Sequence, residues 1–562
     1  MKLKSFLTIM LLSLTIATIA QDASFYRKYA DKGDKEAMFN LAKCYMYGNG
    51  GVAQDYNQAA LWLTKSSKKN YAPAQHLLAY SYLYGAGVMK NYEEAYKLCM
   101  KAVKQNYGPA HFLMGQMYKD GIFVSQSNAM YLQYVRSAAA LGDDDGEYVL
   151  GYIYLYGWPE MNITPDVNQA VSLLQKSSMQ NNAEAKFYLA TCYKAGIGVA
   201  ENNSKAMNLF KESADLGNGG AQCVIGEAYL KGTDLERDFS KAQTYINAAV
   251  QQEIPYAYHL MGDIYYYGLG VEEDENTAAQ WYQKAVDAEY LDACSQLAYM
   301  YLIGAGVKEN ESKAYQLYKK AADGDNVGGL AGLGICYENG YGVLRNMSTA
   351  VSYYKKAADK GNTYSMNRLY HILRDGDGVT KNTDDAITYL RQAADNENAN
   401  ALFSLGYEYL VGELLHEDKD KAITYITKAA EAGDAHSCAV LGVFYYDGEL
   451  IDRDYNKAFK YLQEAAKNSS SVNNGLLGEV YRNLGACYRF GRGTEVNQSL
   501  ASYYTEQAAQ YGDSSSLDAV KMLRLIGFNF ITLSAIPHSD VLPDIPPLAS
   551  NLICMYPATS VY

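Results

Sequence analysis

At 562 residues the chain is longer than one hydrophobic core supports, so it is either several domains or one repeat array. Its 47 Gly against 10 Pro leave long helices unbroken and give the turns to glycine, while 55 Tyr against 14 Phe put hydroxyls on most of the aromatic surface. A formal net charge of -13 argues against a nucleic-acid ligand, and the one basic run, Lys65, Lys68 and Lys69, reads as a solvated helix end.

In chain order, the first element reads as an export signal. Lys2 and Lys4 precede an uncharged apolar stretch over residues 5–20 that ends in Thr18-Ile19-Ala20, so cleavage is expected before Gln21 and residues 1–20 are a signal peptide. That stretch is short for a membrane span and mixed with Ser and Thr. No other uncharged stretch reaches spanning length, so no integral span is expected once the signal is removed. Residues 21–36 contain Tyr29-Ala30-Asp31-Lys32-Gly33-Asp34, which matches the end of a helix, and are expected to cap the array at its N-terminal end.

From residue 37 the sequence repeats itself. The segment at 257–290 slides onto 293–326 column by column, and thirteen units start at Ala37, Ala74, Ala110, Gly146, Ala185, Ala221, Ala257, Ala293, Gly329, Ser365, Ala401, Ser437 and Val480. Nearly every step is 36 residues; the exceptions are 37 at the extra Gly51, 39 around 158–165 and 43 around 469–475. Eleven residues after each start stands a glycine, from Gly48 to Gly491, as a left-handed helix stop requires. A second column is alanine, from Ala59 to Ala501, which lets helices approach closely; Tyr131 breaks it in repeat three, where looser or shifted packing is expected.

Each unit therefore reads as a first helix, a Gly-x-Gly-Val-like loop, a second helix and a turn such as Gly142-Asp143 or Gly361-Asn362. One hairpin cannot bury its own apolar faces, but stacked hairpins can, so the expected fold is an all-α solenoid, an α/α superhelix over residues 37–515.

The pattern A-x-x-x-L-G-x-x-Y-x-x-G-x-G-V followed by K-A-x-x-x-Y-x-K-A-A-x-x-G resembles the Sel-one-like repeat (SLR) family, which is similar to tetratricopeptide repeats but slightly longer. The resemblance covers roughly residues 24–513 and implies a superhelix that binds proteins or peptides, often in cell envelopes, secreted factors or the secretory lumen. A cysteine-rich branch of that family is laddered by disulfides between successive units. Cys294 and Cys438 occupy one half of those sites, but Val286 and Ala430 stand where their partners belong, so the chain departs from that branch. The nine cysteines are expected to be mostly free and buried, since Cys44, Cys192, Cys336 and Cys487 each directly precede the recurrent Tyr.

By similarity to tetratricopeptide repeats, the first helices line the concave side and offer the residues two, six and nine after each start. Down the array these give a protein-binding groove of Phe39, His76, Tyr80, Phe112, Tyr148, Tyr152, Phe187, His259, Asp263, Tyr266, Tyr299, His371, Arg374, Phe403, Tyr407 and Tyr446, among others, an anchor-rich composition. The competing interpretation is that each ring packs on the next first helix. Residues 516–562 carry a further helix at 516–526 and then a tail with Pro537, Pro543, Pro546, Pro547 and Pro557, expected either to cap the last repeat or to act as a docking peptide.

Catalytic signatures are missing from the sequence. The seven histidines are scattered, no HExxH, CxxC or GxSxG stands anywhere, and the recurring Gly-x-Gly follows helices, not strands, so it is a turn and not a phosphate loop. His259 and Asp263, four apart, could give two metal ligands but read better as a surface hydrogen bond. Sequons at Asn162, Asn202, Asn310, Asn346, Asn468 and Asn497 are about as many as chance gives. The sequence thus points to a non-catalytic interaction scaffold of the envelope, secreted space or secretory lumen, with no cofactor, no metal and a protein or peptide partner. The alternative is an exported hydrolase of cell-wall or β-lactam chemistry, which needs Ser, Lys, Glu or His clustered on one face.

Overall fold

A computed structural model describes residues 22–511. The signal stretch at 1–20 and the expected cap helix and tail at 516–562 lie outside the described residues. Within them are 27 α-helices and no strand, only an isolated bridge between Trp158 and Ile163. The helices pair into thirteen hairpins, preceded by a short helix, Ala23–Ala30, that packs on Lys35–Tyr47 through buried Ala23 and Ala30. The chain divides into two compact units, one running to Ala288 and one starting at Glu289, each a stack of consecutive hairpins.

The local chemistry of a hairpin is the same in every repeat. All thirteen glycines placed eleven after the starts have positive φ, between 61° and 83°. Each second helix opens on Asp, Asn or Ser whose side chain accepts an N–H of the first turn, as Asp55, Asn91 and Ser127 do. The backbone N–H of that capping residue donates back to the first helix, for example Asn310 to the Tyr301 carbonyl at 2.8 Å, which closes the loop. Four of the six sequons, at Asn202, Asn310, Asn346 and Asn497, are such capping asparagines. Capping chemistry, an Asn followed two positions later by a small hydroxyl residue, generates the sequon pattern there.

The second loop glycine has a separate cause. A Cβ on Gly87 would stand 1.9 Å from the Tyr56 carbonyl oxygen, and one on Gly493 2.0 Å from that of Tyr455. Each loop is therefore seated on the first residue of the preceding repeat's second helix.

Between helices, the small column does what the sequence implies: Ala59, Ala95, Ala206 and Ala242 are fully buried. Of the looser or shifted packing expected at repeat three, looser packing is not what is found. Tyr131 is 1% exposed, lying against Gly115 and edge-on to Trp158 at 6.1 Å. Trp158 belongs to the longer loop of the next repeat, so the extra residues of that 39-residue step deliver an indole that packs on the extra volume. Seven of the twelve turns between hairpins also depart from the Gly-Asp pattern: Asn70, Asn106, Asn181, Glu253, Glu289, Asp325 and Glu397 take the left-handed conformation instead of glycine.

Candidate functional site

In each unit the first helices of neighbouring repeats touch one another. Ala72–Tyr84 meets Gly108–Asp120, which meets Asp144–Tyr156; likewise Leu291–Ile303 meets Val327–Asn339, which meets Thr363–Asp375. Successive second helices make no comparable contact. The first helices thus form the closer, inner side of each stack, which is the face on which the sequence-derived residues fall.

In the first unit, the half-buried members are Phe39, His76, Tyr80, Phe112, Tyr148, His259 and Asp263. Phe39 lies edge-on to Tyr71 at 5.6 Å, and His76 edge-on to Tyr80 at 5.0 Å and to Tyr107 at 5.5 Å. Tyr148 stacks on Tyr188 at 5.9 Å, and Tyr152 meets the same ring edge-on at 5.1 Å. Tyr152 and Tyr266 are buried. Phe187 is a correction to the sequence-derived set: it is 0% exposed and packs edge-on against Phe210 of its own hairpin at 5.7 Å, so it belongs to the core.

Beside these rings lies an acidic edge that the columns two, six and nine skip, because it sits at the helix starts. Asp143, Asp144 and Asp145 open one first helix and Glu184 lies in the first turn of the next. The side-chain amide of Asn182 donates to Asp144 at 3.2 Å and Asp145 at 3.0 Å, and that of Asn218 donates to Glu184 at 2.8 Å. Asp143 accepts the Gly146 N–H at 2.9 Å. Burial raises its carboxyl to about 7, against the pull of that hydrogen bond and with Asp144 and Glu147 adding repulsion. Loss of solvation likewise lifts Glu184 to about 7. Helix N-termini favour this negative charge, and the run Asp143-Asp144-Asp145 was its signal in the sequence.

His259 and Asp263 approach to 3.6 Å, and Tyr282 donates to Asp263 at 2.6 Å, so the pair is part of a hydrogen-bonded cluster. Among the described residues no group of three or more His, Cys, Asp or Glu is placed to hold a metal ion. Eight described cysteines are free and buried; the ninth, Cys554, lies outside the described residues. Burial pushes thiols such as Cys192 up to about 12, away from the nucleophilic form.

In the second unit the inner face is made differently. His371, Arg374, Phe403 and Tyr446 are half-buried, while Tyr299 and Tyr407 are buried. The charges are joined between repeats. Tyr354 donates to Glu338 at 2.6 Å, and Arg368 pairs with the same carboxylate. Fully buried Glu408 accepts from Tyr370 at 2.5 Å and from the Leu414 N–H at 3.1 Å. Arg374 donates to the Tyr370 oxygen at 3.2 Å and pairs with Asp375 at 2.7 Å. Burial, with Arg374 and Arg368 nearby, holds His371 down to about 3 and therefore neutral at pH 7. Glu338 stands nine after Gly329 and so in a groove column, whereas Arg368 and Glu408 fall outside the three columns, and nothing in the sequence marks either as having a partner 30 residues or more away.

No helix of the described residues is long and apolar enough to cross a membrane.

The family model for the Sel1 repeat matches thirteen times in succession, from residues 35–71 to 478–513. Comparison with curated proteins gives no match. Among solved structures, the chain is similar to a protective antigen of uropathogenic Escherichia coli strains displaying an SLR fold (23% identity over 92% of this chain and 98% of that one, TM-score 0.39). It is also similar to a Sel1 repeat protein from Oxalobacter formigenes (24% identity, 55% and 88%, TM-score 0.36). A third similarity is to a Pyrococcus horikoshii signal-transduction ATPase with a tetratricopeptide repeat sensor (15%, 87% and 87%, TM-score 0.35). Proteins built from these repeats are generally non-enzymatic scaffolds for protein interaction. With thirteen consecutive matches covering the stacked hairpins from end to end, the chain belongs to the Sel1 repeat family.

Proposed function

We propose that this chain is an exported, non-catalytic scaffold that holds a protein or peptide along the inner face of its first helices, and that repeats two to five take a segment bearing Lys or Arg. The observation that carries this reading is the adjacency of half-buried rings and carboxylates there. Tyr80 lies within the field of Asp143 and Asp145, and Tyr148 is on the same helix as the acidic run. Rings supply flat contact area and a cation-attracting face, while carboxyls that burial raises, and that are met only by amides and backbone N–H groups, gain from a cation that stabilises their ionised form. No cofactor or metal enters this function.

Export is supported by Lys2 and Lys4 ahead of the apolar stretch at 5–20, with the periplasm, the secreted space or the secretory lumen as the destination. N-terminal sequencing of the mature protein is expected to begin at Gln21; a retained Met1 contradicts it.

The binding reading is tested by pull-down from the exported fraction with the unaltered chain and with Tyr80→Ala, Tyr148→Ala and Asp145→Asn. A partner lost from all three variants, each still folded by circular dichroism, is the expected result. Undiminished capture by all three removes the reading.

A further inference from the structure

Three columns on the outer, loop-side surface are polar in nearly every repeat and apolar in the last. The residue just before the second-helix cap is Lys, Arg, Glu or Gln in eleven repeats, Pro165 in repeat four and Val496 in repeat thirteen. The long polar side chain helps to close the loop. Gln126, Arg237, Arg345 and Arg453 each reach back to a carbonyl near the end of the first helix, at 2.9, 3.0, 2.9 and 2.6 Å. Val496 cannot do this. Three and six residues after the cap, where Lys421 with Thr424 and Lys457 with Lys460 stand in the two preceding repeats, repeat thirteen has Leu500 and Tyr503. Spaced by four and three, Val496, Leu500 and Tyr503 share one side of the helix Gln498–Gln510 and its cap. They are 59%, 37% and 52% exposed.

We infer that this face is a docking surface for the chain's own residues 528–536. Gly512-Asp513 and Gly527 stand fifteen apart from glycine to glycine, as Gly433-Asp434 and Gly448 do, so the sequence register of the repeats continues as far as Gly527. In six repeats the second loop glycine rests on the preceding second helix at its start, as Gly342 does on Glu311 and Gly493 on Tyr455, and Asp234, which replaces that glycine in repeat six, accepts from Asn203 at the same place at 2.6 Å. The same register assigns Asn529 to Gln498, one turn from Leu500. In place of the polar loop of the other repeats, Gly527 is succeeded by Phe528-Asn529-Phe530-Ile531-Thr532-Leu533-Ser534-Ala535-Ile536, without a charged residue. An apolar strip thus meets an apolar segment where the repeat pattern brings them together, and each covers what the other exposes. The end of the array is closed by its own chain, in the manner of a terminal capping repeat.

The test uses the full chain carrying Tyr503→Cys, with Thr424→Cys, the equivalent exposed position two repeats earlier, as the reference. Maleimide labelling is read peptide by peptide, so that the native thiols do not interfere. Labelling at position 503 is expected to be about tenfold slower than at 424, and to rise to the reference rate when Phe528→Asp and Phe530→Asp are added. Equal rates at 503 and 424 with the native tail overturn the inference. So does protection that persists through both tail substitutions, which assigns the face to another occupant such as a second copy of the chain.

Discussion

Repeats two to five and repeats nine to eleven use the polar residues of their first helices for opposite ends. In the later group, charges on the inner face are consumed by neighbouring repeats: Arg368 closes on Glu338, and Glu408 is held by Tyr370 and a backbone N–H. In the earlier group, Asp144, Asp145 and Glu184 are met by asparagine amides from the next repeat's helix cap, which satisfy lone pairs without bringing a basic partner. A solenoid can therefore use a polar inner residue to join its own repeats or keep it for a partner, and this chain does each in a different stretch. The distinction lies in pairing, since both stretches carry aromatic rings at equivalent columns.

The sharpest way to break this contrast is Glu408→Ala. It removes the acceptor for the Tyr370 hydroxyl and the Leu414 N–H and leaves both donors without that partner, so urea unfolding of the second unit is expected to lose roughly 2–4 kcal/mol. A loss below about 1 kcal/mol would mean that the network adds no cohesion.

A smaller effect of defined sign is expected at Asp143, which is 6% exposed. Its carboxyl sits near 7 in the folded chain against 3.8 when unfolded, so the folded state holds the extra proton between those values. Its contribution to stability is complete below about pH 4 and is lost as pH rises through 7. Asp143→Asn keeps a helix-capping oxygen and is expected to flatten that slope by roughly 1–3 kcal/mol, seen as unfolding midpoints that converge with the parent at about pH 4 and exceed it at about pH 8.

Smaller still, and opposite in sign, is His371. It stays neutral when folded down to about pH 3, whereas the unfolded chain takes up a proton near pH 6.5, so its contribution is present above 6.5 and lost as pH falls toward 3. His371→Gln should weaken the acid sensitivity of the second unit; an unchanged acid limb in the unfolding profile counts against the assignment.

Much of the fold could be read from residues alone, because a period of 36 with an invariant glycine stop dictates hairpins whatever their neighbours do. The Ala column and the helix caps were legible for the same reason: each is a local requirement that recurs down the array. The inner face was less legible. Within column two Phe39, His76, Phe112 and Tyr148 stay near the surface while Phe187 is in the core, and within column six Tyr80 stays half-buried while Tyr152, Tyr299 and Tyr407 sink under the adjoining helices. How far each first helix rolls toward its neighbour depends on side chains a whole repeat away, such as Tyr188 beneath Tyr152, and no single repeat carries that information. Alanine substitutions at those buried tyrosines would report on packing, so half-buried Tyr80 and Tyr148 are the proper probes of binding.

The most direct test of the binding face compares two charge changes in the intact chain for their effect on the partner recovered by pull-down. Asp145→Lys, at the exposed acidic edge of repeats two to five, is expected to weaken binding by at least about tenfold, and more so at low salt. Leu344→Asp, on an exposed loop of repeat nine, is expected to leave binding unchanged. Full affinity in the Asp145→Lys chain, with binding lost in the Leu344→Asp chain, would place the partner on the outer loops and contradict an acidic inner face as the binding surface.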